Sequence, residues 1–141
     1  MEIRAFQLAD ERAVIQLWEA CDLLRPWNDP EKDIRRKLEI QPEMFLVGTL
    51  NREIVATAMA GYEGHRGWVN YLGVAPDHRG RGYGRAIMSE VEKLLAEAGC
   101  PKVNVQVRGT NSAAVGFYER LGYRIDDVVG LGKRLDDDGD D

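Results

Sequence analysis

Residues 68–84, read WVNYLGVAPDHRGRGYG, constrain the fold more than any other stretch of the chain. Trp68 to Ala75 is apolar on both faces, with Val69 and Tyr71 set against Leu72 and Val74. Such a run predicts a strand covered on both sides. Pro76 ends it. The loop Arg79-Gly80-Arg81-Gly82-Tyr83-Gly84 follows. Ile87, Val91, Leu94, Leu95 and Ala98 then recur at the spacing of an amphipathic helix, and Gly99 supplies its stop. A strand that passes through a glycine loop into a long helix requires a layered α/β arrangement.

The glycines let the backbone turn tightly and let N–H groups approach a ligand. The following helix adds the positive end of its dipole. Together they describe a pyrophosphate cradle, to which the arginines add charge-assisted hydrogen bonds. A P-loop is excluded, because no Lys-Ser or Lys-Thr pair is present. A dinucleotide fingerprint also fails: Arg85 follows Gly84, and the strand lies in a meander rather than at the start of a βαβ unit. What remains is R-x-x-G-x-G, on Arg79, Gly82 and Gly84. A flexible surface turn is the competing explanation, and the loop's place between a buried strand and a long helix argues against it.

The remaining elements follow from periodicity and punctuation. Met1 to Phe6 reads as a short strand. Asp10 caps a helix carrying Val14, Leu17, Trp18, Cys21 and Leu24, which ends at Pro26. Asn28-Asp29-Pro30 starts a second helix, with Ile34 and Leu38 on its apolar side and Pro42 at its end. Met44–Leu50 and Glu53–Tyr62 form a hairpin around Asn51-Arg52, and the turn Glu63–Gly67 leads into the central strand. Lys102–Val107 is a further strand. Thr110 or Asn111 caps a helix bearing Ala114, Tyr118 and Leu121, ended by Gly122. Tyr123–Val129 and Leu131–Leu135 read as two last strands. The order β-α-α-β-β-β-α-β-α-β-β predicts a mixed sheet with helices on both faces.

Composition narrows the function classes. The formal charge is −5, but five acids are Asp136, Asp137, Asp138, Asp140 and Asp141, and without them nineteen basic residues balance nineteen acidic ones. A neutral body gives no electrostatic case for nucleic-acid binding, and the acidic end reads as a solubilising tail. Cys21 and Cys100 form no C-x-x-C, and His65 and His78 add no metal-ligand spacing, so no metal is expected. The first residues lack the apolar core of a secretory leader, and no run approaches a membrane span. The expectation is a cytoplasmic protein with no membrane partner.

Leu72–Gly84 resembles motif A of the GNAT superfamily of N-acetyltransferases, and Asn111 with Phe117-Tyr118-Glu119-Arg120-Leu121-Gly122-Tyr123 resembles its motif B. Leu24–Pro30 and Gly61–Gly67 also resemble the YpeA-type bacterial members. The resemblance implies an α/β GNAT fold. That is a mixed, mostly antiparallel twisted sheet with helices on both faces and a splay between two central parallel strands, Trp68–Ala75 and Lys102–Val107. It implies one N-acetyltransferase domain over residues 1–135 and an acidic disordered tail over 136–141. The cosubstrate implied is acetyl-CoA, and the acceptor a small-molecule or peptide amine. The last strands of family members often mediate dimers, so a homodimer is open.

Site residues carry over position by position. The resemblance implies that the pantetheine pairs with the backbone of Leu72, Gly73 and Val74, as an added strand would. The pyrophosphate would lie on Arg79, Gly80, Arg81, Gly82, Tyr83 and Gly84, and Asn111 would touch the cofactor. The Val74 N–H is the candidate to stabilise charge on the carbonyl oxygen. Tyr118 matches the family's general acid, since a phenol with a pKa of about 10 holds its proton where a thiol, at about 8.5, begins to lose it. Simple packing on the sheet is the alternative for Tyr118. For the base, Gln106 stands where ribosomal-protein acetyltransferases carry Glu, and Gln cannot accept a proton. Glu63, His65 and a water relay remain. Trp27, with Arg25 and Asn28, either shapes the acceptor pocket or packs a helix corner. A catalytically idle acyl-CoA sensor and a plain interaction domain are the competing functions.

Overall fold

The computed structural model describes residues 1–138. Nine regular elements carry the fold: β1 (Glu2–Ala5), α1 (Glu11–Ala20), α2 (Pro30–Glu39), β2 (Phe45–Leu50), β3 (Glu53–Tyr62), β4 (Gly67–Val74), α3 (Tyr83–Glu97), β5 (Val103–Val105) and α4 (Ser112–Arg120). The strands form one sheet in the order β1-β2-β3-β4-β5. Pairing is antiparallel from β1 to β4, and β4 with β5 is parallel.

Local chemistry sets the boundaries. Asp29 caps α2 by accepting from the Lys32 N–H at 3.1 Å, and Pro30 takes the first helical position, whose N–H has no helical partner. Asn51 and Arg52 both adopt positive φ, the geometry that matches a two-residue turn to the twist of β2 and β3. Asn111 caps α4 through the Ala114 N–H at 3.0 Å.

Strand alternation divides the core in two. Leu46, Ala56, Ala58, Ala60 and Val69 face α3, where they meet Ile87, Met88, Val91 and Leu95. Phe45, Val47 and Met59 face the other way, against Phe6, Val14, Trp18 and Ile34. Helices therefore cover both faces, as expected. Trp18 is fully buried, and its indole N–H donates to the Thr57 hydroxyl at 3.0 Å. Thr57 in turn donates to the Tyr71 carbonyl at 2.9 Å. The Trp18 and Tyr71 rings stack at 3.8 Å.

Those contacts fix an irregularity in β4. Tyr71 adopts a φ of 53°, and the register with β3 shifts between Thr57 and Met59. A left-handed, non-glycine residue costs about 1–3 kcal/mol, and stacking on Trp18 with the Thr57 bond offsets it. Parallel pairing of β4 with β5 stops at Val69 and Val105, just before the bulge. This is the splay. The expected strand Lys102–Val107 is accordingly only Val103–Val105.

Two expectations need correction. Tyr123–Val129 and Leu131–Leu135 form no strand among the described residues, so β5 is the edge of the sheet and the parallel pair is not central. Gly130, Gly132 and the Asp126-Asp127 pair weaken strand pairing, and β5 offers an edge only three residues long. Ion pairs hold the segment instead. Lys102 meets Asp126 at 2.9 Å, and Arg36 meets Asp136 at 3.0 Å. The second correction concerns the start of β4, where Trp68 and Asn70 are exposed, so this strand is not covered on both faces along its length. Of the acidic tail, residues 139–141 lie outside the described residues. No described helix is long and apolar enough to cross a membrane.

Candidate active site

β4 ends in a glycine-rich loop that leads directly into α3. Gly80 and Gly82 have φ of 78° and 83°, and a Cβ at either would meet nothing within 4 Å. Both glycines are thus required by conformation and face open space. Gly82 is the N-cap of α3, with no side chain capping the helix. The first N–H groups of α3 therefore lack intrahelical and side-chain partners, at the positive end of the helix dipole. Among the described residues, Arg79, Arg81 and Arg85 make no ion pair. Arg79 instead donates from Nε to the Val74 carbonyl at 3.1 Å.

Val74 is oriented by ladder alternation. The Ala75 N–H donates to the Val55 carbonyl at 2.8 Å, which makes that pair hydrogen-bonded. The next pair, Ala56 with Val74, is then the non-bonded kind, and the Val74 N–H and C=O turn away from β3. The carbonyl confirms this, since it accepts from the Cys21 thiol at 3.3 Å and from Arg79. Gly73 packs so closely that a Cβ would lie 3.0 Å from Leu23 and 3.2 Å from the Cys21 sulfur.

A cleft of ≈ 1840 Å³ opens beyond the splay, between β4, β5, α4 and the α1–α2 corner. Leu72, Asn111 and Tyr118 line it, whereas Gly73, Val74 and the 79–84 loop lie beside it. The two parts touch where α3 meets α4: a Cβ on Gly84 would lie 3.1 Å from the Phe117 ring. Tyr118 is half-buried, with edge contacts to Phe117 at 5.1 Å and Tyr123 at 5.5 Å. Burial pushes its phenol up to about 12, so it stays protonated through the neutral range. Asn111 spends its Oδ1 on capping α4.

The base candidates separate. Glu63 and His65 sit in the turn before β4, at the end opposite Val74, where Tyr62 reaches Gly64 and Gly99. Neither lines the cleft. Glu63 accepts from the Arg66 and His65 N–H groups, which hold its carboxyl below the usual range. Its role is to close the turn. Gln106 lines the cleft, as does Arg25 with Asn28. Trp27 does not; its ring lies 5.2 Å beneath the Arg108 guanidinium.

Sequence reasoning missed three cleft residues. The Tyr71 hydroxyl donates to Asp33 at 2.6 Å, and Arg36 reaches the same carboxylate at 3.3 Å. The positive φ of Tyr71 has no sequence signal, and Asp33 and Arg36 read as the solvated side of α2. Burial and the Asp33 carboxylate both push the Tyr71 phenol up.

A model described as the acetyltransferase (GNAT) family matches residues 12–123. The chain belongs to the GNAT acetyltransferase family. A Yersinia pestis protein named acetyltransferase is 58% identical over 135 residues, 96% of both chains. The ribosomal-protein-S18-alanine N-acetyltransferase of Escherichia coli superposes with a TM-score of 0.72 at 25% identity, over 86% of this chain and 76% of that one. An aminoglycoside 6'-N-acetyltransferase of Acinetobacter haemolyticus reaches a TM-score of 0.75 at 17% identity, over 96% and 100%. This GNAT chain thus shares its fold with proteins named for different acceptors, and the fold alone does not choose among them.

Proposed function

We propose that the chain is an acetyl-CoA-dependent N-acetyltransferase that acts on a small-molecule or peptide amine in the cytoplasm, with one catalytic domain over residues 1–135. One observation carries the proposal. β4 leaves β5 at Val69, and five residues later the Val74 N–H faces away from β3, next to a loop whose glycines border open space. Backbone groups freed by a splay need a partner, and an extended amide chain ending in a diphosphate supplies both parts.

Acetyl-CoA, when bound, supplies the thioester carbonyl and the leaving sulfur. Leu72, Gly73 and Val74 hold its amide arm, and the Arg79–Gly84 N–H groups hold its diphosphate. Asn111, at the start of α4, keeps its side-chain amide nitrogen for the cofactor. The acceptor nitrogen bonds to the carbonyl carbon as the carbon–sulfur bond breaks. The Val74 N–H stabilises the charge that develops on the carbonyl oxygen. Tyr118 gives its phenolic proton to the departing sulfur. The amine's own proton leaves to water in the open cleft, because Glu63 and His65 lie at the far end of β4 and Gln106 cannot accept it.

The test is acetyl-CoA binding together with amine-dependent release of free thiol, over amino acids, polyamines, aminoglycosides and short peptides. Binding with release upholds the enzyme. Binding with silence across the panel favours an acyl-CoA sensor, and absence of binding removes both.

A further inference from the structure

The acidic end of the chain returns to α2, where of the residues it meets only Arg36 and Asn28 line the cleft. Arg36 grips the Asp138 carboxylate with both terminal nitrogens, each at 2.8 Å. Arg134 approaches it at 3.5 Å and Lys32 at 3.9 Å, and the Asp29 N–H donates to it at 3.5 Å. The Asp138 side chain has no solvent exposure. Its carboxyl is held down at about 2, chiefly by the Arg36 hydrogen bonds. A forked guanidinium–carboxylate pair of this kind is a recognition geometry, more specific than a loose surface ion pair.

The place matters as much as the geometry. Arg36 and Asn28 line the cleft, and Arg134 donates to Asn28 at 3.2 Å. Arg36 also meets Asp33, which accepts from Tyr71 on the β4 bulge. A hydrogen-bonded line thus runs from the splay to the tail carboxylate. It lies on the α1–α2 side of the cleft, away from the glycine loop.

Building on the acetyltransferase reading, we propose that Arg36, aided by Arg134 and Lys32, is a carboxylate subsite of the acceptor pocket, and that Asp138 occupies it until an acceptor arrives. The acceptor is then an amine that also carries a carboxylate, as amino acids and short peptides do. The tail competes with it from within the chain. A cation cluster of this sort, already filled by a carboxylate of the same chain, selects for acceptors that can replace that carboxylate.

Two measurements on the full chain decide this. In the first, the Asp136 and Asp138 amide signals are followed by NMR while N-acetylalanine, N-acetylalaninamide or acetate is added. N-acetylalanine is expected to move the signals toward those of an Arg36→Gln variant, with acetate weaker and the amide inert. No movement, or equal movement with all three, overturns the subsite. The second is kinetic: D136N/D138N should lower KM roughly tenfold for carboxylated amines and leave their amides unchanged. Arg36→Gln should erase the preference for the carboxylate. Equal kcat/KM for acid and amide in the wild type overturns the proposal. Should no amine be acetylated, the acetyltransferase reading falls, and the displacement experiment still decides the subsite.

Discussion

The two ends of the sheet are built to different standards. Among the described residues, every buried apolar side chain lies at or before Leu95. β2, β3 and the bulged β4 are pressed between α1 and α3, with a core on each face. Beyond residue 100, β5 is three residues long, α4 buries nothing fully, and Ile125, Val128, Val129, Leu131 and Leu135 are at least 78% exposed. The candidate site draws on both regions. The cradle and the Val74 N–H belong to the packed part, while Tyr118 and Asn111 belong to the open part. The candidate site therefore joins a tightly packed strand end to a thinly packed helix, the kind of element that moves most readily.

The largest effect should come from the packed half. Trp18→Ala removes the fully buried indole that stacks on Tyr71 and bonds Thr57. It should cost about 3–5 kcal/mol in denaturant unfolding. A cost below about 1 kcal/mol would mean that the two halves are packed alike.

Gly82→Val probes the cradle. At a φ of 83° with open space above, a branched side chain strains the turn and fills the space proposed for the diphosphate. Acetyl-CoA should bind roughly tenfold more weakly or worse, as isothermal titration calorimetry would show. Undiminished affinity would remove the loop from the site.

Alkaline pH should read out the burial of Tyr118. Its folded pKa of about 12 lies above the ordinary phenol value. Tyr118 therefore adds no pH dependence below about 10, and the wild type loses stability relative to Tyr118→Phe as pH rises from about 10 toward 12. Urea unfolding of both proteins at pH 8 and 11 would show parallel curves if Tyr118 were exposed.

The smallest effect belongs to the open half. Val129 is 86% exposed, so Val129→Ala should change stability by no more than about 0.5 kcal/mol. A loss several times larger would show that the C-terminal segment packs after all.

Legibility in the sequence follows the same divide. The hairpin β2–β3 and the helices α1 to α4 could be read because their periods and caps are local, as at Asp29-Pro30, Asn51-Arg52 and Asn111. The glycine loop was legible as a tight turn, because Gly80 and Gly82 do take the positive φ that their residue type permits. The bulge at Tyr71 was not, since the stacking on Trp18 that sustains it comes from another layer. The two last strands were misread because alternation in 123–135 says nothing about whether an edge exists to receive them. Glu63 and His65 were candidates from their turn before β4, and the sequence does not show that this turn lies at the end of the strand opposite Val74 and outside the cleft lining. The Asp33–Arg36 pair was invisible for the same reason that most helix-surface charges are: nothing local distinguishes a solvated face from one that lines a cleft.

The central claim is that the two halves meet in one reaction, with the diphosphate held by the packed half and the sulfur protonated by Tyr118 of the open half. The most direct test is thiol release from acetyl-CoA, with an amine that the wild type accepts, in wild type and Tyr118→Phe side by side, with acetyl-CoA affinity measured on both. In Tyr118→Phe, kcat is expected to fall by roughly tenfold or more while acetyl-CoA affinity stays the same. Equal turnover in the two proteins would contradict it.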